Sequence, residues 1–193
     1  MKDAKALEAI LLEHRKWFRP WEATNPYAPN VWDTRGMLRS LLRALDDHTG
    51  MPFIIEYQGK IVGQLNVANI LHGSVSNAVI GYWISPDVAG KGIMPTSVAL
   101  VSDYLFNLVG LHRIEIDIRP ENGASLRVVQ KLGFRYEGLK QRYIHINGAW
   151  RDHYIFALTH EEVSKGVLNR MVRGEVPHLV YPKLENGELS SEH

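Results

Sequence analysis

Apolar residues at the start of the chain recur with the period of a helix. One amphipathic helix is predicted over residues 4–18, because four side chains are spaced by four, three and four residues: Leu7, Leu11, His14 and Phe18. Residues 19–30 contain three prolines and two asparagines and are predicted to form a loop. A second helix is expected after Asp33 and Thr34, both of which can cap a helix. Its apolar face would consist of Met37, Leu38, Leu41, Leu42 and Leu45.

Patterns typical of strands follow in the middle of the chain. Residues 51–70 predict a β-hairpin that turns at Gln58-Gly59. Residues 78–84 are a continuous apolar run, which is typical of a central strand covered on both faces. A further strand alternates Ile114, Ile116 and Ile118, and a C-terminal hairpin is predicted to turn at Asn147-Gly148.

Helical spacing returns between these strands. Val98, Val101, Leu105 and Leu108 predict one helix. A shorter helix is expected to end at Gly133, with Leu126, Val129 and Leu132 facing inward. The order ααββ-βαβα-ββ predicts a mixed α/β single domain over residues 1–159. Residues 160–193 are expected to add a helix and a frayed tail, either part of the same unit or partly disordered.

Composition narrows the classes of function. The 193 residues include 22 basic and 21 acidic side chains, so no global field attracts nucleic acid or a membrane surface. The absence of cysteine excludes disulfides, a thiolate nucleophile and Cys-type metal sites. The nine histidines include no His-x-x-x-His pair, and no metal is expected. The N-terminal segment lacks the pattern of a signal peptide and no apolar run is long enough to span a membrane, so a cytoplasmic protein is expected.

A glycine-containing turn, "DVAGKG", joins the central strand to the next helix. It does not match the nucleotide triphosphate pattern, because Gly92 follows Lys91, nor the dinucleotide pattern, because Pro95 replaces the third glycine. Small residues at this place still let an anion approach the amides of the following helix. The alternative is a purely structural turn that uses glycine for tightness.

The turn and its context resemble the GNAT superfamily of acetyl-CoA-dependent N-acetyltransferases. The family's Gln/Arg-x-x-Gly-x-Gly/Ala motif falls on residues 87–92, where the glycines match and Asp87 does not. We therefore expect the Asp87 side chain to turn away from the anion and to cap the helix. "EHRKWFRPWE", "IGYWISPDVAGKGIMPTSV", "NGASLRVVQKLGF" and "INGAWRDHYIFAL" resemble the Rim-type ribosomal-protein alanine acetyltransferases over residues 14–159. This resemblance implies a mixed, splayed sheet in which two central strands part.

The resemblance also implies a coenzyme site. Acetyl-CoA would be the co-substrate, held by the following residues: Tyr82, Trp83, Ile84, Ala89, Gly90, Lys91, Gly92, Ile93, Asn122 and Ser125. Ser125 would lie near the sulfur as general acid or hydrogen-bond donor. The alternative is that Asn122 and Ser125 only cap the helix that they begin, and both roles can coexist.

The general base is less well marked. Val79 and Ile144 stand at positions where relatives carry acidic residues, which leaves His145 as the catalytic candidate, ahead of Glu115 and His72. An enzyme with a weak base is better suited to α-amines than to lysine side chains. At pH 7 an α-amine is roughly 14% neutral, whereas a lysine side chain is roughly 0.04% neutral. "WRDH" at residues 150–153 has no metal-ligand spacing, and Asp152 is expected to make a structural hydrogen bond across the hairpin.

The acceptor groove is predicted near the first helix. Arg15, Trp17, Arg19 and Trp21 would line it, although either tryptophan could instead be a core anchor. The predicted function is acetyl transfer to a protein N-terminus of the ribosomal-protein type, by direct attack in a ternary complex of a monomer or homodimer. The alternatives are acetylation of a small-molecule amine and a coenzyme-binding regulatory module. The family usually begins with a strand that this chain does not show, and residues 176–182 could instead cover the exposed sheet edge.

Overall fold

A six-stranded sheet forms the centre of the fold. The computed structural model describes residues 3–27, 33–185 and 188–189. The strands are β1 (Met51–Tyr57), β2 (Lys60–Leu71), β3 (Asn77–Ile84), β4 (Arg113–Ile118), β5 (Arg135–Ile146) and β6 (Ala149–Thr159). Their spatial order is β1-β2-β3-β4-β6-β5, in which only β3 and β4 are parallel. The mixed α/β fold and both hairpins are confirmed, and the two hairpin turns have the positive φ angles expected of type I′ turns.

The two parallel strands separate soon after they begin to pair. Residues 77–79 of β3 pair with residues 113–115 of β4, and neither strand pairs with the other beyond that point. β3 continues beside β2 to Ile84, while β4 continues beside β6 to Ile118. The predicted splay is therefore present, and it leaves a wedge between residues 80–84 and 116–118.

Six α-helices surround the sheet in the described part of the chain. They are α1 (Ala4–Glu13), α2 (Arg15–Phe18), α3 (Thr34–Asp46), α4 (Ile93–Tyr104), α5 (Gly123–Leu132) and α6 (Val167–Arg173). α1 packs on α3 and β2, while α4 packs on α5 and α6. Short 3₁₀ turns occupy Pro86–Val88 and His160–Val163, and a π-helical turn, Leu105–Val109, extends α4. None of the helices in the described ranges is long and apolar enough to cross a membrane.

The predicted first helix is interrupted at His14. This residue leaves helical geometry, with φ −105° and ψ 29°, so α1 ends at Glu13 and α2 starts at Arg15. Its Nε2 lies 3.3 Å from an Asp87 carboxylate oxygen, a contact between segments distant in sequence. Phe18 is buried and packs edge-to-face on Trp83, with ring centroids 5.1 Å apart. The pattern was correct for the buried face and wrong for the continuity of the helix.

The predicted faces of α3 and α4 are only partly buried. Asp33 caps α3 as expected, since its Oδ1 accepts the Gly36 N–H at 2.8 Å. Leu42 and Leu45 remain exposed, because α3 packs mainly on α1 and β1 among the described elements. Leu108 is 77% exposed, because the π-helical turn changes the phase of the helix after Leu105.

The segment after β6 folds back onto the sheet. Residues 176–182 do not pair with a strand in the described part of the chain, so the structure does not support the alternative in which they complete a sheet edge. Leu179 is buried, and the Tyr181 ring packs on Tyr154 and Phe156. The Tyr154 hydroxyl donates to the Pro182 carbonyl at 2.8 Å. The segment covers the face of β6, and the tail beyond Glu185 lies mostly outside the described residues.

Candidate active site

The turn between β3 and α4 presents free backbone amides. Gly90 and Gly92 both have φ +81°, a left-handed conformation that favours glycine, and an added Cβ at either would meet no atom within 4 Å. The amides of residues 90–92 donate no hydrogen bond to any described residue. Gly92 precedes the first turn of α4, whose N–H groups also lack helical partners. The turn therefore fits an anionic group such as a pyrophosphate.

A cavity of about 370 Å³ lies beside this turn. Most of the predicted coenzyme residues line it: Tyr82, Trp83, Ile84, Ala89, Gly90, Gly92, Ile93, Asn122 and Ser125. Lys91 is exposed and is not among the lining residues. Two lining cations, Arg127 and Lys131, were missed by the sequence analysis. Their spacing of four residues on α5, which places both on one helix face, was the available signal.

Asp87 does not cap α4. Its carboxylate accepts the Ser85 hydroxyl at 3.1 Å and faces the His14 imidazole, while Gly92 occupies the N-cap position. Asp87 is not among the residues that line the cavity. The expected cap was wrong because the 3₁₀ turn places Asp87 well before the start of α4.

A second cavity, of about 170 Å³, occupies the wedge between the parted strands. Isoleucines supply much of its wall: Ile80, Ile116, Ile118, Ile144 and Ile146. Four residues line both cavities: Trp21, Tyr82, Asn122 and Ser125. These four residues therefore lie at the junction of the two cavities.

The junction residues combine packing with polar groups. Asn122 Oδ1 accepts the Ser125 N–H at 3.1 Å and so caps α5, which leaves the Ser125 hydroxyl free of that bond. The Tyr82 hydroxyl is buried, and burial raises its pKa, an effect that the nearby Ser125 hydroxyl partly opposes. Tyr82 is therefore protonated at neutral pH.

The charged groups of the second cavity are largely balanced. The Asp117 side chain is 5% exposed and its Oδ1 lies 3.2 Å from Lys140 Nζ. Burial raises the pKa of Asp117, and Lys140 acts against that rise. The Arg119 guanidinium lies over the Trp21 ring at 5.4 Å and donates to the Pro20 carbonyl.

His153 also lines the second cavity, and the sequence analysis gave it no role. It is 3% exposed, and its Nδ1 lies 3.0 Å from the Arg151 carbonyl oxygen. Burial lowers the pKa of His153. Asp117 pairs with Ile155 across the β4–β6 ladder, so His153, two residues earlier, shares the face of Asp117. This alternation was the signal that could have identified His153.

The structure does not bring His145 to Ser125. Ile144 and Ile146 line the second cavity, so strand alternation turns His145 away from it. Its Nδ1 lies 2.7 Å from Thr24 Oγ1, and its ring meets Trp150 edge-on. Glu115 accepts from Arg113, and His72 is exposed in a loop. None of these three candidate bases is among the residues that line either cavity.

The predicted acceptor residues separate into two groups. Trp17 and Trp21 line the first cavity and are 44% and 38% exposed, so neither is a core anchor. Arg15 pairs with Glu22, and Arg19 donates to Asn147 at 2.9 Å. Because these partners hold both arginine side chains elsewhere, neither arginine lines a cavity.

The expectation for Asp152 also has an outcome. Asp152 accepts the Arg142 N–H at 2.7 Å, which is the predicted bond across the hairpin. Among the described residues, no group of three or more His, Cys, Asp or Glu side chains could hold a metal ion.

Comparisons with known proteins agree with this geometry. A model of the acetyltransferase (GNAT) domain matches residues 2–135. The chain is 30% identical to the [ribosomal protein uS5]-alanine N-acetyltransferase of Escherichia coli (strain K12), over 86% of this chain and 87% of that protein. It is 40% identical to the probable N-acetyltransferase YjcK of Bacillus subtilis (strain 168), over 51% of this chain and 55% of that protein.

Two further matches are informative. The spermidine N(1)-acetyltransferase of Escherichia coli (strain K12) is 29% identical over 56% of this chain and 58% of that protein. The solved structure of Mycobacterium smegmatis RimJ in complex with CoA-disulfide superposes with a TM-score of 0.83 at 34% identity. That match covers 93% of this chain and 88% of the RimJ chain.

Proposed function

The chain belongs to the GNAT family of acetyltransferases, and from this premise we propose that it acetylates the α-amine at the N-terminus of a protein. The acetyl donor is acetyl-CoA, which supplies an acetyl group activated as a thioester. The related uS5-alanine enzyme supports a ribosomal protein as the acceptor. The observation that carries the proposal is the small, charge-balanced cavity between the parted strands.

Residues of the first cavity support binding of the coenzyme. The free amides of residues 90–92 and the start of α4 would hold its pyrophosphate. Arg127 and Lys131 add positive charge on the same cavity wall. Beyond Val79, the side of β3 that faces β4 has no strand partner in the described chain, so its peptide groups are available to the pantetheine arm.

The charge balance of the second cavity favours a monocation over a polyamine. Its wall contains one carboxylate, Asp117, and one cation, Arg119. Lys140, which is not part of the wall, faces Asp117, and Glu121 pairs with Arg119. A polyamine carries several positive charges and needs several unpaired carboxylates to offset its desolvation. An α-amine carries one positive charge and is already partly neutral at pH 7. The small volume and isoleucine-rich wall also favour a small first residue of the acceptor.

Two groups at the junction would assist the transfer. A backbone N–H of β3 would donate to the thioester carbonyl oxygen, where negative charge develops. The Ser125 hydroxyl, which lines both cavities, would donate a proton to the departing sulfur. No covalent enzyme intermediate is needed, because the amine attacks directly in a ternary complex.

The test is a peptide panel incubated with acetyl-CoA. Peptides that begin with Ala or Ser and contain one internal lysine are compared with the same peptides blocked at the N-terminus, and with spermidine. We expect release of coenzyme A only with free N-termini, and mass spectrometry should locate the acetyl group on the first residue. Turnover of spermidine alone would instead establish a small-amine acetyltransferase. Tight coenzyme binding without any turnover would indicate a regulatory module.

A further inference from the structure

We propose that His153 is the proton acceptor for the attacking amine. This inference rests on the proposed acetyl transfer and adds to it the base that the sequence did not reveal. His153 lines the wedge between β3 and β4, which also contains Asp117, and this wedge meets the coenzyme cavity at Ser125.

The hydrogen bond of His153 defines which ring nitrogen is free. A carbonyl oxygen can only accept, so the contact with the Arg151 carbonyl places the proton on Nδ1. The neutral ring then carries its lone pair on Nε2. No described residue forms a hydrogen bond with Nε2, and burial keeps the ring neutral at pH 7 by lowering its pKa. This tautomer can accept a proton from a ligand in the cavity.

Charged and titratable groups from three directions act on this ring. Asp117 on β4 and Glu121 favour the protonated ring, whereas Arg119 disfavours it. Lys140 and Tyr143 come from β5; Lys140 faces Asp117, and the Tyr143 ring meets the imidazole edge-on at 6.0 Å. Burial has the largest effect on the pKa of His153 and lowers it, although the hydrogen bond to the Arg151 carbonyl acts in the opposite direction. The ring is therefore neutral, and able to accept a proton, before the reaction.

The protons balance over the whole reaction. An acceptor ammonium loses one proton to bulk water, and the neutral amine forms the C–N bond as the C–S bond breaks. The nitrogen sheds its second proton to His153 Nε2, and the sulfur receives a proton from Ser125. His153 then returns a proton to Ser125, directly or through water, so both residues regain their starting states.

The pH profile separates this role from a structural one. For kcat/KM of the peptide, the wild type should show one acid inflection for the free amine and a second, at a pH below about 6.5, for His153. The His153→Gln variant should lose the second inflection and fall on the order of 10²-fold at pH 7, while its Kd for acetyl-CoA is unchanged. A loss by the same factor at every pH, with both inflections retained, would overturn the proposal.

A control variant and an NMR measurement on the wild type complement the pH profile. His145→Gln makes the same substitution on β5, outside both cavities, and should keep both inflections. NMR of isotope-labelled wild-type protein without substrates should show His153 with a protonated Nδ1, a bare Nε2 and a pKa below its usual value. An Nε2–H tautomer would contradict the proposal even if the His153 variant did not fold.

Failure of this inference can be distinguished from failure of the proposed acceptor. If the wild type acetylates spermidine and no peptide, the acceptor is wrong, and the same comparison of pH profiles is made with spermidine. If peptides are acetylated and His153→Gln retains the full profile, the acceptor stands and His153 is excluded as the base.

Discussion

Asn122 and Ser125 begin α5, where the Asn122 side chain accepts the Ser125 N–H, and both residues also border the two cavities. The cap uses the backbone of Ser125 and leaves its hydroxyl available for chemistry. The sequence analysis allowed capping and catalysis to coexist, and this geometry is compatible with both roles. In Ser125, the backbone N–H stabilises the start of the helix, and the side-chain hydroxyl is the group proposed to take part in the reaction.

Replacing Ser125 by Ala should therefore affect turnover without unfolding α5. We expect kcat to fall on the order of 10²-fold, because the sulfur loses its proton donor, while the Kd for acetyl-CoA changes by less than about threefold. Single-turnover kinetics and calorimetry measure the two quantities. Ser97→Ala is the control, because the Ser97 hydroxyl bonds to the Ile93 carbonyl within α4, outside both cavities. An unaltered kcat in Ser125→Ala would remove Ser125 from the mechanism.

At the scale of elements, the contribution of the turn before α4 to coenzyme binding can be measured separately from its contribution to stability. Gly92→Ala forces an alanine into φ +81° and should lower the free energy of unfolding by about 1 kcal/mol. It should also raise the Kd for acetyl-CoA by about tenfold, because it would shift the amides that we propose hold the pyrophosphate. Denaturant unfolding and calorimetry provide the measurements.

Gly59→Ala supplies the matched control. Gly59 has φ +73° and equally open surroundings, but it lies in the β1–β2 turn. The Gly59→Ala variant should lose a similar amount of stability and retain the affinity of the wild type for acetyl-CoA. Equal weakening of coenzyme binding by both variants would show that the turn at Gly92 does not hold the anion.

Helices and strands were predictable where the local spacing of apolar residues matches the positions that are buried in the fold. The alternation of Ile114, Ile116 and Ile118 and the turn at Asn147-Gly148 located strands correctly, because burial follows a fixed period there. The break at His14 was not predictable, because it accompanies a contact with distant Asp87. His153 was missed for a related reason. Its position in a cavity depends on how β4, β5 and β6 are arranged side by side, which periodicity along one strand does not encode.

At the scale of the whole molecule, residues after the last long strand belong to the same core. Tyr181→Ala removes a ring packed on Tyr154 and Phe156 and should lower the free energy of unfolding by about 3 kcal/mol. Thermal unfolding should remain a single transition, because the segment and the sheet unfold together.

The neighbouring Val180→Ala is the control for that prediction. Val180 is 76% exposed, so its truncation should change stability by less than about 0.5 kcal/mol. A stability loss for Tyr181→Ala no larger than that of Val180→Ala would mean that the segment contributes little to the core. The sequence motifs that resemble the family end at Thr159 and could not reveal this packing.

The early separation of β3 and β4 has a consequence for the affinity of the protein for a ligand that binds between the two strands. Two neighbouring strands that stay together satisfy each other's peptide groups, whereas here the facing edges are left incomplete beyond Val79 and Glu115. Each internal hydrogen bond that is made contributes about 1 kcal/mol net. A ligand with amide groups of its own can complete this sheet as an inserted segment. In the proposed complex, part of the binding free energy of the donor would therefore come from hydrogen-bonding groups that the sheet leaves unpaired.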